Sequence, residues 1–183
     1  LESPSVNLAP NYEWTITCRV YLISFDSAFN DFKGAALSEN PSSFALQFPN
    51  GTVSGQLNPL GVYYIQNGTT RWESITWQGV EVVPPGAYFD ATDGNPTVNC
   101  LIYHFTIRVS DFLGFPVSGA QVSTELSDGR TVSTQTGPDG VAVIRMVPQG
   151  GFTATISYLA QAVTVSGDVA EAAASSVEAK ITF

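Results

Sequence analysis

The sequence predicts an all-β protein made of two β-sandwich domains, and three observations support this fold class. Apolar and polar residues alternate with period two along most of the chain, as they do in strands with one buried face. Gly, Pro, Asn and Asp cluster in short turns between these stretches. Helical periodicity is nearly absent, because the Ala- and Glu-rich stretch 167–180 breaks at Ser175-Ser176 and supports at most a short helical turn.

The first part of the chain contains five stretches with strand patterns. The first is WTITCRVYLISF, 14–25, in which alternation places residues on two faces. One face carries Ile16, Cys18, Val20 and Leu22, and the other carries Thr15, Thr17, Arg19 and Tyr21. The remaining stretches are SFALQF at 43–48, GVYYIQ at 61–66, a strand or strand pair at 73–83, and the short AYFD.

Turn signals become closely spaced after residue 104, which is typical of a β-sandwich. The strands predicted there cover 104–111, 121–126, 130–136, 141–147, 152–158, 161–167 and 177–183. We therefore divide the chain into an N-terminal tail (1–12), an N-terminal domain (13–103) and a C-terminal domain (104–183).

The boundary between the two predicted domains contains no linker. The stretch NCLIYHFTIRVSD runs through it without the Pro-, Ser- or Gly-rich composition of a flexible tether. We predict that one continuous strand ends the first domain and begins the second. Such a strand would couple the domains rigidly, which suits a load-bearing or lattice role.

The composition excludes some functions and indicates a cellular location. Of the 183 residues, 13% are charged, and the net charge is −9. A nucleic-acid-binding protein needs a basic surface, which this chain lacks. No apolar stretch approaches the roughly 20 residues that span a bilayer. Residue 1 is Leu and no signal peptide is present, so we expect a mature form or a segment of a longer protein. The charge-poor surface, rich in hydroxyls and amides, indicates an extracellular protein of the cell surface.

The two cysteines, Cys18 and Cys100, each lie in a strand pattern. An even count in an extracellular context favours a disulfide between them, and two buried free thiols are the alternative. Two cysteines and the distant His104 make a poor zinc site.

N-glycosylation is the clearest predicted modification. Asn50-Gly51-Thr52 and Asn67-Gly68-Thr69 are acceptor sequences without proline at the middle position. Both fall at predicted turns between strands, where a glycosylating enzyme has access. We therefore expect covalent N-glycans at Asn50 or Asn67.

Calcium is the ion that the sequence favours most, and we predict no other cofactor. Asp90, Asp93 and Asn95 provide oxygen ligands within one short loop. An ordinary turn is the alternative for this stretch. A second acidic loop at 24–32 is a weaker candidate, and it contains Asp26, Asn30 and Asp31.

The search for catalytic residues gives no site. His104 lies inside the predicted junction strand, where a catalytic triad would need an exposed pocket. A glycosidase needs a pair of carboxylates, and Glu73, Glu81 and Asp90 are candidates by position alone; solvated acids are the alternative. Nucleophile-elbow, phosphate-loop and zinc-protease motifs are absent from the sequence. We expect a protein that is not an enzyme.

Residues 105–183 resemble the carboxypeptidase-regulatory-like and collagen-adhesin B-type immunoglobulin-like domains. The resemblance lies in FTIRVSDFLGFPVSGAQVST and in TGPDGVAVIRMVPQGGFTATISY. It implies an immunoglobulin-like sandwich. Some collagen-adhesin relatives carry an internal isopeptide bond from a lysine in the first strand. This chain has Arg108 there and its only C-terminal-domain lysine, Lys180, in the last strand, so the bond is not expected.

In the first domain, SITWQGVEVVPPGAYF at 74–89 looks like segments of archaeal surface-layer and extracellular filament proteins. This likeness implies a subunit of a pilus-like or thread-like filament.

The tail indicates how such subunits would join. Val6 and Leu8 alternate between Pro4 and Pro10, so a few residues are able to pair along a sheet edge. Insertion of this tail into a neighbouring copy, called donor-strand complementation, joins identical subunits head to tail. A disordered or back-folded tail is the alternative.

We therefore expect a structural subunit of a surface filament. The alternatives are a surface-layer lattice, an accessory β-domain of a secreted hydrolase, and an adhesin or carbohydrate-binding module that stacks Trp72 or Trp77 on sugars.

Overall fold

Strands make up nearly all the regular structure of the part of the chain that the structure describes. The computed structural model describes residues 19–182. Its strands are β1 Val20–Ser24, β2 Phe29–Asn30, β3 Ser43–Gln47, β4 Val62–Gln66, β5 Thr69–Trp77, β6 Val80–Glu81, β7 Tyr88–Asp90, β8 Val98–Asn99, β9 Ile102–Ser110, β10 Gln121–Leu126, β11 Thr131–Gln135, β12 Val141–Pro148, β13 Gly151–Tyr158, β14 Gln161–Asp168 and β15 Val177–Lys180. The prediction of an all-β fold is confirmed.

One α-helix, α1 Val169–Ala174, lies between β14 and β15. The Asp168 carboxylate caps it by accepting hydrogen bonds from the N–H groups of Ala170 and Glu171. The helix ends at Ala174, immediately before the serine pair at which the helical pattern breaks. It is the short helical turn that the sequence predicts.

Residues 102–182, the C-terminal half, form a sandwich of two sheets. One sheet has the strand order β11-β10-β13-β14, and the other has the order β12-β9-β15. All these pairs are antiparallel except β9 with β15, which is parallel. The rings of Phe105 and Phe152 meet in the core with their centroids 4.7 Å apart. The seven strands predicted after residue 104 correspond to β9 through β15.

Residues 19–101, the N-terminal half, contain three smaller sheets. Strands β3, β5 and β6 form one sheet, to which β7 adds by pairing with β5. Strand β1 pairs with β4, and β2 pairs in parallel with β8. The core is an aromatic cluster around Trp72, whose ring lies 5.5–5.6 Å from four phenylalanine rings, those of Phe25, Phe29, Phe44 and Phe89.

The two halves repeat one strand topology. Strand β9 corresponds to β1 and β2 together, between which residues 25–28 interrupt the strand. The other correspondences are β3 with β10, β4 with β12, β5 with β13, β6 and β7 with β14, and β8 with β15.

The turns of the two halves carry the same hydrogen bonds, which fixes this correspondence residue by residue. At the end of β3 in one half and of β10 in the other, the first residue of the turn donates its N–H across the turn, and a glycine N–H donates back to the carbonyl of that residue. The bonds are Phe48 to Thr52 and Gly51 to Phe48 in one half, and Leu126 to Arg130 and Gly129 to Leu126 in the other. Gly51 and Gly129 both have φ of +82°, a conformation that favours glycine.

The closing strands also correspond. The N–H of Cys100 donates to the carbonyl of Asn30, and in the C-terminal half the N–H of Ile181 donates to the carbonyl of Ser110. A carboxylate begins the helical turn before each closing strand, Asp90 in the first half and Asp168 in the second. The chain therefore uses one architecture twice.

The predicted continuous strand at the junction is wrong. Strand β8 ends at Asn99 and β9 begins at Ile102, because Cys100 and Leu101 still bond to the N-terminal half. The N–H of Leu101 donates to the carbonyl of Val82, whereas β9 pairs with β12. The chain thus changes sheets at this point. The predicted boundary between residues 103 and 104 falls inside β9.

Candidate functional site

The predicted disulfide involves one residue outside the described range. Cys18 is not among residues 19–182, and Cys100 is buried with no exposed surface. Burial raises the pKa of the Cys100 thiol to about 12. The nucleophilic thiolate is therefore scarce at neutral pH, and Cys100 is no candidate for thiol chemistry. The pairing with Cys18 stays a prediction.

The predicted glycosylation sites lie on exposed turns. Asn50 belongs to the turn after β3, where its Oδ1 accepts hydrogen bonds from the N–H and the hydroxyl of Thr52 at 3.0 and 2.7 Å. Asn67 is exposed in the turn between β4 and β5. Both asparagines are accessible to a glycosylating enzyme, and their modification stays a prediction.

Val6 and Leu8, the residues of the predicted subunit-joining tail, lie outside the described residues.

The residues of the predicted calcium loop make hydrogen bonds to the protein itself. Asp90 Oδ1 accepts hydrogen bonds from the backbone N–H and then the hydroxyl of Thr92, and these bonds lower the pKa of the Asp90 carboxyl. Asn95 Oδ1 accepts the N–H of Ser24 at 3.0 Å, which joins this loop to β1. Among residues 19–182, no three His, Cys, Asp or Glu side chains form a metal-binding group. The described structure gives Asp90 and Asn95 local roles, and calcium binding at Asp93 and its neighbours stays a prediction.

The two tryptophans proposed to stack on sugars are both buried. Trp72 is 2% exposed and Trp77 is 1% exposed. Simple alternation along β5 would place them on opposite faces, because they lie five positions apart. The pairing of β3 with β5 shifts register beside Glu73, and this β-bulge turns both rings inward. Sugar stacking on Trp72 or Trp77 is therefore wrong.

His104 lies where the two halves meet, as the sequence predicted. Its Nδ1 accepts the N–H of Met146 at 3.2 Å, so Nε2 carries the proton. That Nε2 lies 3.1 Å from Oδ2 of Asp31, which is 4% exposed. The contact joins a loop of the N-terminal half to the first residues of β9.

The loop that contains Asp31 is held rigid by its own hydrogen bonds. We call residues 31–36 the first Asp-Phe loop. Asp31 Oδ1 accepts the N–H groups of Lys33 at 2.9 Å and Ala35 at 2.8 Å. The N–H of Phe32 donates to the carbonyl of Ile102 at 2.9 Å. The junction therefore includes a backbone-to-backbone hydrogen bond.

Two contacts to aromatic rings add to the junction. The ring of Phe32 lies 4.7 Å from the ring of Tyr103. The guanidinium of Arg130, from the C-terminal half, lies over the Trp77 ring at 5.4 Å. Asp128 holds this arginine in place through a 2.6 Å contact between Arg130 Nε and Asp128 Oδ2. The Asp31–His104 hydrogen bond, the backbone bond and the ring contacts together couple the halves.

The C-terminal half carries an equivalent loop, which makes no such junction with any of residues 19–182. We call residues 111–116 the second Asp-Phe loop. Asp111 Oδ1 accepts the N–H groups of Leu113 at 2.9 Å and Phe115 at 2.8 Å, as Asp31 does in the first loop. Phe112, Leu113 and Phe115 are 61%, 66% and 64% exposed. This is a rigid loop that presents three large apolar side chains to solvent.

A second exposed apolar surface lies on the sheet of β1 and β4. Val20, Leu22, Val62 and Tyr64 are 49%, 62%, 54% and 74% exposed, and Leu22 pairs directly with Tyr64. We call these four residues the outer face. Alternation correctly placed Val20 and Leu22 on one side of β1, but that side faces solvent, and Ile23 on the other side enters the core at 1% exposure.

The sequence carries a signal for the two loops that the sequence analysis did not use. Asp-Phe-x-Gly occurs at 31–34 and again at 111–114. In both places the glycine has positive φ, +87° at Gly34 and +91° at Gly114. A comparison of the chain with itself would have found the pair. No helix among the described residues is long and apolar enough to cross a membrane.

The sequence matches no protein-family model and no curated protein. Solved structures similar to this chain include the Bacillus anthracis TIE protein, with 16% identity over 90% of this chain and 33% of that one and a TM-score of 0.37. A streptococcal ancillary pilin has 15% identity over 89% of this chain and 62% of its own, with a TM-score of 0.36. The pilus backbone protein of Streptococcus pneumoniae has 8% identity over 90% and 64%, with a TM-score of 0.37. This chain spans less than two thirds of each of them. Likenesses this distant carry no weight for function.

Proposed function

We propose that this chain is a structural, non-enzymatic subunit of an extracellular surface filament. In this proposal the chain consists of two immunoglobulin-like β-sandwich domains and joins identical copies head to tail. The observation that carries the proposal is the junction between the halves. One β-sandwich unit is used twice and stacked through a partly buried Asp31–His104 contact, a backbone hydrogen bond and two contacts to aromatic rings. A rigid stack of like units is what an extended filament requires.

The remaining surface chemistry supports association of the chain with other copies. The chain carries 16 acidic and 7 basic residues, so copies repel at long range and need short-range apolar contacts to associate. The described residues expose thirteen large apolar side chains. Several of them cluster on the second Asp-Phe loop and on the outer face. Clusters of this kind on a soluble domain mark interaction surfaces.

The N-terminal tail supplies the proposed subunit joint. In this mechanism, Val6 and Leu8 of one copy insert into the next copy, and the tail backbone pairs with an open strand edge. Among the described residues, β1 and β4 form a sheet of only two strands. Such a sheet leaves backbone donors and acceptors available to an added strand.

Electron microscopy of the purified chain and two double variants tests this proposal. Val6→Asp/Leu8→Asp places charges on the proposed inserting side, and Ser5→Asp/Asn7→Asp places the same charges on the alternate side. We expect filaments from the unaltered chain and from the Ser5/Asn7 variant, and none from the Val6/Leu8 variant. Equal polymerisation of both variants would rule out the tail as the joint. Isolated particles from the unaltered chain would rule out the filament subunit itself.

A further inference from the structure

We propose that the second Asp-Phe loop of one copy docks on the outer face of a second copy. This contact would repeat between subunits the junction that joins the two halves within one chain. The inference rests on the proposed function, because it names the surfaces through which head-to-tail copies touch. It concerns residues 111–116 as the donor surface and the β1–β4 sheet as the acceptor surface.

The two Asp-Phe loops have the same backbone hydrogen bonds. In each loop one aspartate oxygen accepts two backbone N–H groups, and a glycine N–H donates back to the aspartate carbonyl. A single bridge closes each loop, Asn30 with Ala36 and Ser110 with Pro116. Two loops with the same backbone present their side chains in the same directions. The first loop packs on the start of the unit that follows it, so the second loop is shaped for the same contact.

The two loops differ in their side chains. Phe32 contacts the ring of Tyr103 and remains 52% exposed, with Lys33 and Ala35 beside it. In the second loop, Leu113 and Phe115 replace the lysine and the alanine. The second loop therefore carries much more apolar surface than the first. This surface contacts no partner that would explain it among the described residues.

Strand register identifies the residues of the N-terminal half that are equivalent to the acceptor residues at the start of β9. Ser24 pairs with Val62, and Arg108 pairs with Val141, where each valine follows the glycine of an equivalent turn. The turn glycines donate alike, Gly61 to Asn58 and Gly140 to Gly137. Counting back along both strands matches Val20 with His104 and Arg19 with Tyr103.

The acceptor side chains fit an apolar donor. At the junction within the chain, Asp31 accepts a hydrogen bond from His104. At the equivalent site the position belongs to Val20, whose side chain cannot donate a hydrogen bond. Val20 is flanked by exposed Leu22 and Tyr64 on the same face. Within the chain, Tyr103 contacts Phe32. Arg19 occupies the position equivalent to Tyr103 and is exposed. Its guanidinium is a good partner for the ring of Phe112 in a second copy. An apolar loop thus meets an apolar face.

The donor and acceptor surfaces lie at opposite ends of the chain, so copies are expected to add one after another into a linear array. The first loop lies at the end of the N-terminal half that touches the C-terminal half, so its equivalent lies at the far end of the C-terminal half. Residues 19 and 20 begin the first strand of the N-terminal half, away from the junction. A contact between two different surfaces is heterologous, and it builds a linear array when its rotation does not close.

Photo-crosslinking between copies tests the contact directly. A benzoylphenylalanine replaces Phe112 in ¹⁵N-labelled full-length chain, which is mixed with unlabelled full-length chain and irradiated. We expect mixed-isotope crosslinks that map to peptides containing β1 or β4. The proposal would be overturned if all crosslinks formed within a single labelled chain. It would also be overturned if crosslinks between copies mapped to any other surface.

Variants separate failure of this inference from failure of the proposed function. Phe112→Ser/Leu113→Ser/Phe115→Ser removes the donor surface, and Tyr88→Ser/Val143→Ser removes exposed apolar side chains elsewhere. Both should keep the thermal stability of the unaltered chain, because the altered side chains are exposed. We expect association on the order of 30-fold weaker or more for the loop variant and unchanged for the control. If the unaltered chain associates and the loop variant does so equally, the loop inference fails and the filament proposal stands. If the unaltered chain never associates, both fail.

Discussion

The substitution Asp31→Asn is predicted to weaken the junction between the two halves without disturbing the loop that carries it. Asparagine keeps an Oδ1 that accepts the N–H groups of Lys33 and Ala35. It places an NH₂ group where Oδ2 now lies, 3.1 Å from Nε2 of His104. The imidazole cannot adapt by moving its proton to Nδ1, because Nδ1 accepts the N–H of Met146. Two donors would then face each other.

The magnitude follows from the burial of this contact. The Asp31 side chain is 5% exposed and that of His104 is 28% exposed, so solvent screens the contact only partly. Loss of a hydrogen bond to a charged group costs about 1.5–3 kcal/mol, and the partial exposure of the imidazole places the expected loss near the lower end, at about 1.5 kcal/mol.

Urea unfolding followed by tryptophan fluorescence measures this loss, and the repeat supplies the matched control. Asp111→Asn makes the same change in the second Asp-Phe loop, where Oδ1 accepts Leu113 and Phe115 and the structure shows no histidine contact. We expect a change below about 0.5 kcal/mol for that variant. Equal losses for Asp31→Asn and Asp111→Asn would refute the assignment of Asp31 to the junction.

Three further predictions concern the thiols, the glycans and the ionic strength. Cys100 should resist alkylation at pH 8 in the native protein, because it is buried. If the Cys18–Cys100 disulfide forms, alkylation after unfolding without reductant should modify neither cysteine, as measured by mass spectrometry. Alkylation of both cysteines would exclude the disulfide. Because folding raises the pKa of this thiol, a reduced chain should lose stability as pH rises from about 9 towards 12, whereas a disulfide-bonded chain should not. Treatment of protein from its native source with peptide N-glycosidase should lower its mass, and Asn50→Gln/Asn67→Gln should abolish that shift; an unchanged mass would refute glycosylation at these sites. Raising the salt concentration from about 0.01 to 0.15 M should strengthen self-association, because it screens a net charge of −9; weaker association would show that ion pairs dominate the contact.

Local alternation was enough to predict most of the strands. Each of the seven strands expected after residue 104 is present, and the stretch 73–83 is a strand pair with a turn at Gln78-Gly79. These elements depend on neighbouring residues and turn chemistry, which the sequence displays directly. Alternation could not say which side of β1 faces inward, because Val20 and Leu22 on one side are as apolar as Tyr21 and Ile23 on the other.

Features that depend on distant pairing were not predictable in the same way. The bulge that turns Trp72 and Trp77 to one side arises in the pairing of β3 with β5, so β5 alone does not display it. The break at Cys100 and Leu101 arises because their backbone groups bond to Asn30 and Val82. Asp-Phe-x-Gly is too short to predict a contact surface from the sequence. Its role depends on the hydrogen bond from the N–H of Phe32 to the carbonyl of Ile102, which only the folded chain brings together.

Sedimentation equilibrium of the purified chain over a wide concentration range tests the central claim most directly. Head-to-tail joining through two different surfaces predicts a weight-average mass that rises continuously with concentration, without a plateau at a small whole number of chains. A mass that stays at 19.5 kDa at every concentration, or that levels off at a closed dimer, would contradict the account.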